Sequence, residues 1–206
     1  MIIVQGYEWA THQPLIRAVL DLYKPKFILE LGIGIYSTPL FKNHNAMFIE
    51  NDKDWIELMS KELEIEIIHH DLGGIHDYDL VNQISREQQK EIEKYYKKIS
   101  IPKLKPNLLF VDQVPSCRLI SINALRDKFD IIIYHDDDEQ GRRLNYYDLI
   151  NREGFNYYSL HTDLTGVGCM IRQKLDNGKL IETAENYIEL FIEEWPLCTN
   201  MYVDSR

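Results

Sequence analysis

Residues 27–50 read FILELGIGIYSTPLFKNHNAMFIE, and this stretch decides the fold. Phe27 to Leu31 is an apolar run typical of a buried strand, and Ala46 to Glu50 is a second one. Between them lie a loop, Gly32 to Ser37, and a helix start at Thr38-Pro39, where threonine caps the helix and proline fits its first turn. This order of strand, loop, helix and strand predicts a β-α-β unit of a parallel sheet.

The alternation of strands and helices continues on both sides of this unit. Ser85 to Gln88 has the S-x-x-Q spacing of a capping box and begins a predicted helical insertion at about 85–100. Further predicted strands are Ile65–His69, Leu108–Asp112, Asp130–His135, Asn156–His161 and Gly166–Arg172, and further predicted helices are Pro14–Tyr23, Asp54–Leu63, Arg118–Arg126 and a C-terminal tail at about 180–195. We therefore predict a single α/β domain over residues 1–206, a Rossmann-like three-layer sandwich with a mostly parallel seven-stranded sheet and an antiparallel C-terminal hairpin.

The composition is that of an ordinary globular protein, with 206 residues, 45% hydrophobic residues, 27% charged residues and a net charge of −10. A negative surface repels phosphate backbones, which argues against a nucleic-acid partner. No apolar run is long enough to span a bilayer, and the first residues lack the basic start of a secretory signal. We therefore expect a soluble cytoplasmic protein. The abundance of Ile, Lys, Asn and Tyr is compatible with a bacterial or viral origin but does not decide it. The apolar face of the tail predicts either a cap on the sheet or a subunit contact in a homo-oligomer.

Glycines and acids at the ends of the first two predicted strands indicate a cofactor site. Gly32 and Gly34 let the backbone approach a ligand closely, and Glu50 stands where sheets of this type place an acid on ribose hydroxyls. A nicotinamide cofactor needs a third glycine where the chain has Ser37. Glu30 instead suits the ammonium group of S-adenosylmethionine. A tight turn that binds no ligand is the structural alternative.

One further acid follows the third predicted strand. Asp71 stands where an acid in this architecture lies near the adenine of a cofactor. An Asx-turn before Gly73 explains the same residue equally well. The sequence leaves these two interpretations open.

Acids and a histidine gather at the ends of the fourth and fifth predicted strands, where ligands bind in open α/β sheets. In one interpretation, His135 or Asp112 is a general base that removes a proton from a hydroxyl. In the other, Asp112, Asp136 and Asp137 hold a divalent cation such as Mg²⁺ or Mn²⁺. Arg118 follows Asp112 along the chain and is expected to pair with one of these acids.

The motifs together resemble a group of poorly characterised methyltransferase-like proteins within the class I S-adenosylmethionine-dependent methyltransferases. The match covers most of residues 7–172 and depends on five stretches: YEWATHQP at 7–14, ELGIGIYSTPLF at 30–41, IENDKDW at 49–55, FVDQVPSCR at 110–118 and IIIYHDDD at 131–138. The fourth and fifth strands are also more loosely similar to those of glucuronoxylan O-methyltransferases. The resemblance agrees with the predicted hairpin, because the last strand of these enzymes is antiparallel.

The resemblance implies a role for each matching residue. The implied cofactor contacts are Glu30, Gly32, Gly34, Ser37 and Glu50, with Thr11, His12 and Gln13 beside the amino-acid end of the cofactor. The implied acceptor side consists of Asp112, Arg118, His135 and Asp136.

The same resemblance sets an expectation for the reaction. The Asn/Asp-Pro-Pro-Tyr motif of amino-group methylases is absent, since Asp112-Gln113-Val114-Pro115 stands in its place. We therefore expect O-methylation of a sugar or another small hydroxylated acceptor. Two alternatives stay open at this point: a non-catalytic binding protein that keeps the fold, and an NAD-dependent or nucleotide-sugar enzyme.

Overall fold

The computed structural model describes residues 10–73, 75, 84–138, 141–143, 147–162, 165–194 and 200–205. Its strands are β1 Phe27–Leu31, β2 Ala46–Glu50, β3 Ile68–His69, β4 Asn107–Val111, β5 Ile131–His135, β6 Phe155–His161, β7 Val167–Arg172 and β8 Tyr202–Ser205. Its helices are α1 Gln13–Tyr23, α2 Thr38–Phe41, α3 Lys53–Leu63, α4 Arg86–Lys98, α5 Pro115–Leu125 and α6 Leu180–Glu194. Tyr7 to Trp9 and Trp195, which belong to the predicted motif and tail, lie outside the described residues.

The sheet confirms the predicted α/β class. Its strand order is β3-β2-β1-β4-β5-β7-β6-β8, with β1 to β5 parallel and the last three strands antiparallel. The predicted count of seven strands is wrong by one, because β8 pairs with the outer edge of β6. This strand has only four residues, of which only Val203 is buried, so it carries too little hydrophobic alternation to be recognised in the sequence.

Two apolar layers cover the sheet, one on each face. Every residue of β1, β4 and β5 is buried, which is the pattern of strands covered on both sides. Helices α1 and α6 pack on the face that includes Ile28 and Phe110, and helices α4 and α5 pack on the face that includes Leu29 and Val111. The capping box predicted at the start of α4 is present, since Ser85 and Gln88 bond reciprocally. Within the described residues, no helix is long and apolar enough to cross a bilayer.

The direction of strand addition reverses between β1 and β4, and this reversal opens a crevice at their carboxyl ends. The segments that follow the two strands stay close together, and Asp112 N donates a 2.7 Å hydrogen bond to Leu31 O. Gly32 makes this close approach possible. Its φ is +79°, and a Cβ at this position would lie 2.3 Å from Gln113 N.

Candidate functional site

An open cleft of about 650 Å³ occupies this crevice, a size typical of small-molecule sites. One end of the cleft is charged and the other is apolar and aromatic. Its lining residues are His12, Ile33, Gly34, Ile35, Tyr36, Asn51, Asp52, Trp55, Asp112, Gln113, Val114, Pro115, Arg118, His135, Asp136 and Thr165.

The apolar end is formed by the glycine loop, which we define as residues 32–37, and by the start of α3. Asp52 caps α3 by accepting hydrogen bonds from Asp54 N and Trp55 N at 2.9 and 3.0 Å. Trp55 Nε1 donates a 2.9 Å bond to Ile33 O and so ties the loop to the helix. Gly34 N donates 2.9 Å to Thr38 Oγ1. The loop is therefore held in place without a ligand.

Glu50 fixes the loop from below. Its Oε2 accepts a 3.0 Å bond from Ile33 N, and its Oε1 accepts bonds from Asn51 N at 2.6 Å and Asp52 N at 3.0 Å. Burial raises the pKa of this carboxyl, although the three N–H donors act in the opposite direction. Glu50 lines a narrow crevice beside the cleft together with Gly32, so both lie at the edge of the site.

Glu30 lies beneath the loop and outside the cleft lining. Its side chain is fully buried, and Ser37 Oγ donates a 2.6 Å bond to its Oε1. The other oxygen, Oε2, has no hydrogen-bond partner among the described residues. Burial raises the pKa of Glu30 well above its usual value. Ser37 is also fully buried, so both residues support the loop from behind.

We expect Glu30→Gln to gain stability relative to the wild type as the pH rises. Because the folded protein retains the Glu30 proton that the unfolded chain releases near pH 4.5, the wild type loses stability above that pH. The gain is expected to be about 1 kcal/mol or more between pH 5 and pH 8, measured by urea unfolding. Glu62→Gln, at an exposed position of α3, serves as the control with an unchanged curve. Parallel curves for Glu30→Gln and the wild type would show that Glu30 is ionised in the folded protein.

Three other predicted cofactor residues take different places. Thr11 is buried, with its Oγ1 3.0 Å from Thr165 Oγ1. Gln13 accepts a 3.2 Å bond from Arg17 and lies in a separate groove beside α6, outside the cleft. Asp71 is exposed and accepts a 2.8 Å bond from Gly73 N. This bond forms the Asx-turn, which was one of the two interpretations of Asp71.

The charged end of the cleft is organised by Arg118. Its guanidinium donates to Asp112 Oδ1 at 3.0 Å, to Asp136 Oδ2, and to the backbone oxygens of Gln113 at 2.7 Å and His135 at 3.3 Å. The Arg118 side chain is only 6% exposed, so this geometry is rigidly held. The prediction that Arg118 pairs with the acids is confirmed. We call Asp112, Arg118, His135 and Asp136 the charged cluster.

His135 completes the charged cluster as a cation. Its Nδ1 lies 3.4 Å from Asp112 Oδ1 and 3.2 Å from Asp136 Oδ1, and its Nε2 lies 3.3 Å from Thr165 Oγ1. Although burial opposes the charge, the two carboxylates raise the pKa of His135 to about 10. The imidazole thus already carries its second proton at neutral pH. A protonated imidazole does not accept a hydroxyl proton, so Asp112 is the better placed general base of that pair, and the role of His135 stays a prediction.

The proton on His135 also decides whether Thr165 could be activated as a nucleophile. Thr165, His135 and Asp112 form a hydroxyl–imidazole–carboxylate series of the kind that activates nucleophiles in hydrolases. Such a series needs an imidazole that can accept the hydroxyl proton. A histidine with a pKa of about 10 does not do so near neutrality, so Thr165 Oγ1 serves as an acceptor for His135.

The third proposed metal ligand points away from the other two. Asp137 is fully buried, and its carboxylate accepts bonds from Tyr157, from Ser159 Oγ at 2.9 Å and from Arg142 Nε at 3.2 Å. Within the part of the chain that the structure describes, no three histidine, cysteine or acidic side chains are arranged to hold a metal. The prediction of a cation held by Asp112, Asp136 and Asp137 is corrected, because Asp137 instead joins the loop that follows β5 to strand β6.

The backbone at Asp136 explains how adjacent acids take opposite directions. Asp136 has a φ of +59°, a left-handed conformation that is uncommon outside glycine. The turn sends its carboxylate back to Arg118, while Asp137 N donates a 2.8 Å bond to Gly166 O on the other side. An unusual backbone conformation of this kind often occurs at functional sites.

The cleft contains residues that the sequence did not single out for function. Tyr36, Trp55, Val114 and Thr165 all line it. Trp55 and Val114 belong to stretches that carry the resemblance, but their spacing indicates only a helix face and a loop. Thr165 precedes β7, and the antiparallel pairing of β7 with β5 brings it beside His135, a contact that no local pattern predicts.

Comparisons with known proteins add one distant likeness. No protein-family model and no curated protein matches the chain. Among solved structures, an uncharacterized protein from Listeria monocytogenes serotype 4b is similar over 89% of this chain and 80% of its own, at 10% identity and a TM-score of 0.36. A likeness at this level carries no argument about function.

Proposed function

We propose that this chain is an S-adenosylmethionine-dependent methyltransferase that methylates a hydroxyl group of a sugar or another small hydroxylated acceptor. The observation that supports it most is the cleft at the reversal of strand order, with the glycine loop at one end and the charged cluster at the other. The antiparallel strand β7 beside β5 agrees with the hairpin that the resemblance implies.

The residues of the cleft fit this cofactor better than a nicotinamide dinucleotide. A pyrophosphate needs free N–H groups at the start of a long helix, but α2 has four residues and Gly34 N is bonded to Thr38. Ser37 and Glu30, which would underlie the pyrophosphate, are bonded to each other. The apolar surface of Trp55 and Ile33 offers a place for the adenine ring.

The charged cluster supports the acceptor chemistry. When bound, S-adenosylmethionine supplies a methyl group on a positively charged sulfur. Asp112 is held by Arg118 and His135 through Oδ1, and its partly exposed carboxylate accepts the acceptor proton in this proposal. His135 and Arg118 keep that carboxylate oriented, and by lowering its pKa against the effect of burial they keep it in the ionised form that can accept a proton.

Titration calorimetry of the protein with S-adenosylmethionine and S-adenosylhomocysteine, with NAD⁺ as the control, tests the cofactor assignment. Binding of both sulfur compounds without NAD⁺ binding is the expected result. If neither binds, the methyltransferase proposal fails. If NAD⁺ binds instead, the chain belongs with the dinucleotide-dependent enzymes.

We expect Gly34→Val to weaken the binding of S-adenosylhomocysteine at least tenfold, which is about 1.4 kcal/mol. Gly34 lines the cleft, and among the described residues a Cβ there meets Ser37 Oγ at 3.1 Å, so most of a larger side chain occupies ligand space. Thermal unfolding checks that the variant is folded. Gly178→Asn, in an exposed turn far from the cleft in sequence, is the matched control and is expected to bind normally. Normal binding by a folded Gly34→Val would place the ligand elsewhere.

A further inference from the structure

Within the described part of the chain, a buried histidine in the cleft wall has no partner for either ring nitrogen. His12 precedes α1 and is only 2% exposed, and neither ring nitrogen has a hydrogen-bond partner among the described residues. Burying a polar group without a partner destabilises a folded protein. Such a group is readily explained where a ligand supplies the missing bond, and His12 lines the cleft.

The surroundings of His12 fix the ring but leave it neutral. Its ring centroid lies 5.2 Å from that of His135, nearly edge to face, and 5.3 Å from that of Phe110. Burial, and then the nearby charge of His135, lower the pKa of His12 to about 3. The ring therefore carries one N–H donor and one nitrogen acceptor. A hydroxyl group both donates and accepts hydrogen bonds, so it matches this ring.

The neighbouring charges indicate that the ligand is uncharged. The cations Arg118 and His135 are already paired with the carboxylates of Asp112 and Asp136. A phosphate or carboxylate ligand would approach these two acids on a chain whose net charge is −10.

We infer that His12 binds a hydroxyl group of the methyl acceptor and that this acceptor is an uncharged hydroxylated compound. The inference rests on the proposed methyltransferase function and moves His12 from the cofactor side of the site to the acceptor side. Its place beside His135, at the end of β5, is the reason for this change.

Thermal unfolding of His12→Phe tests whether His12 is kept for a ligand. Phenylalanine retains a ring in contact with Phe110 and removes both unpartnered nitrogens, so we expect Tm to rise by about 2–4 °C. A purely structural histidine would give a lower Tm. His12→Asn, which retains a polar group but loses the ring contacts, is expected to melt below the wild type and provides a second variant if His12→Phe does not fold.

Methyl transfer to a defined panel tests the acceptor. The panel contains methyl α-D-glucopyranoside, methyl β-D-xylopyranoside and catechol, with glucose 6-phosphate as the anionic counterpart of the first. We expect transfer to a neutral member, reduced at least 100-fold in His12→Phe, with S-adenosylhomocysteine affinity unchanged within threefold. Transfer to the phosphate alone, transfer to no member, or full activity in His12→Phe would each overturn the inference. Failure of the wild type to bind S-adenosylhomocysteine would instead remove the proposed function.

Discussion

Replacing Arg118 with methionine is expected to lower the free energy of unfolding by about 3–5 kcal/mol near neutral pH. Arg118 is nearly buried, and it is the cation that contacts both Asp112 and Asp136 as well as two backbone oxygens. Without it, His135 alone faces two carboxylates, and one negative charge stays unpaired in a poorly solvated place. Urea unfolding monitored by circular dichroism measures the change.

Two further variants separate the loss of the buried charge from the loss of side-chain volume. Arg17→Met, on the exposed face of α1, is the matched control and is expected to change stability by less than about 0.5 kcal/mol. Adding Asp136→Asn to Arg118→Met removes the unpaired carboxylate, so we expect part of the stability to return. A loss below about 1 kcal/mol for Arg118→Met would mean that water reaches these acids and screens their charge.

The fold could be predicted from the sequence largely because its central strands carry a strong signal. Strands β1, β4 and β5 are mostly apolar, and each one ends at a polar residue or is followed by a polar residue or a glycine that begins a loop. The capping residues of α3 and α4 are also local features, with Asp52 and Ser85 at the two helix starts. Strand β8 was missed because its pairing with β6 depends on residues distant in the chain.

The position of the candidate site could be predicted in outline from the ends of the parallel strands. Parallel strands end at one edge of the sheet, and the register pairs Val111 with Tyr134, so Asp112 and His135 follow side by side. Their protonation states and side-chain directions could not be predicted. The proton on His135 depends on two carboxylates at contact distance, and the direction of Asp136 depends on one left-handed backbone angle.

Asp137 shows the limit of a purely local argument. It stands next to Asp136 in the sequence, and the run of acids indicated a metal site. Its partners Tyr157 and Ser159 instead lie on β6, and its side chain is completely buried. Adjacent acids can therefore have unrelated roles where the backbone turns between them.

The proton on His135 makes the stability of the protein depend on pH. Because the pKa of His135 is raised from 6.5 to about 10 on folding, its contribution is complete below pH 6.5 and is lost as the pH rises toward 10. Asp112 and Asp136 contribute in the opposite direction. Because their pKa values are lowered on folding despite burial, their contribution to stability is lost as the pH falls into the acid range. The charged cluster is thus expected to stabilise the fold most between about pH 4 and pH 6.5.

Comparison of the wild type with His135→Gln isolates the imidazole contribution on the alkaline side. Between pH 7 and pH 9.5 the wild type is expected to lose on the order of 3 kcal/mol more than His135→Gln, as measured by urea unfolding at each pH. Contributions from Cys169 and the buried tyrosines, whose pKa values burial raises, are common to both proteins and cancel. His44→Gln, at an exposed position between α2 and β2, is the matched control. Parallel curves for the wild type and His135→Gln would mean that His135 is neutral at pH 7. His135 could then act as a general base, and it could also accept the hydroxyl proton of Thr165.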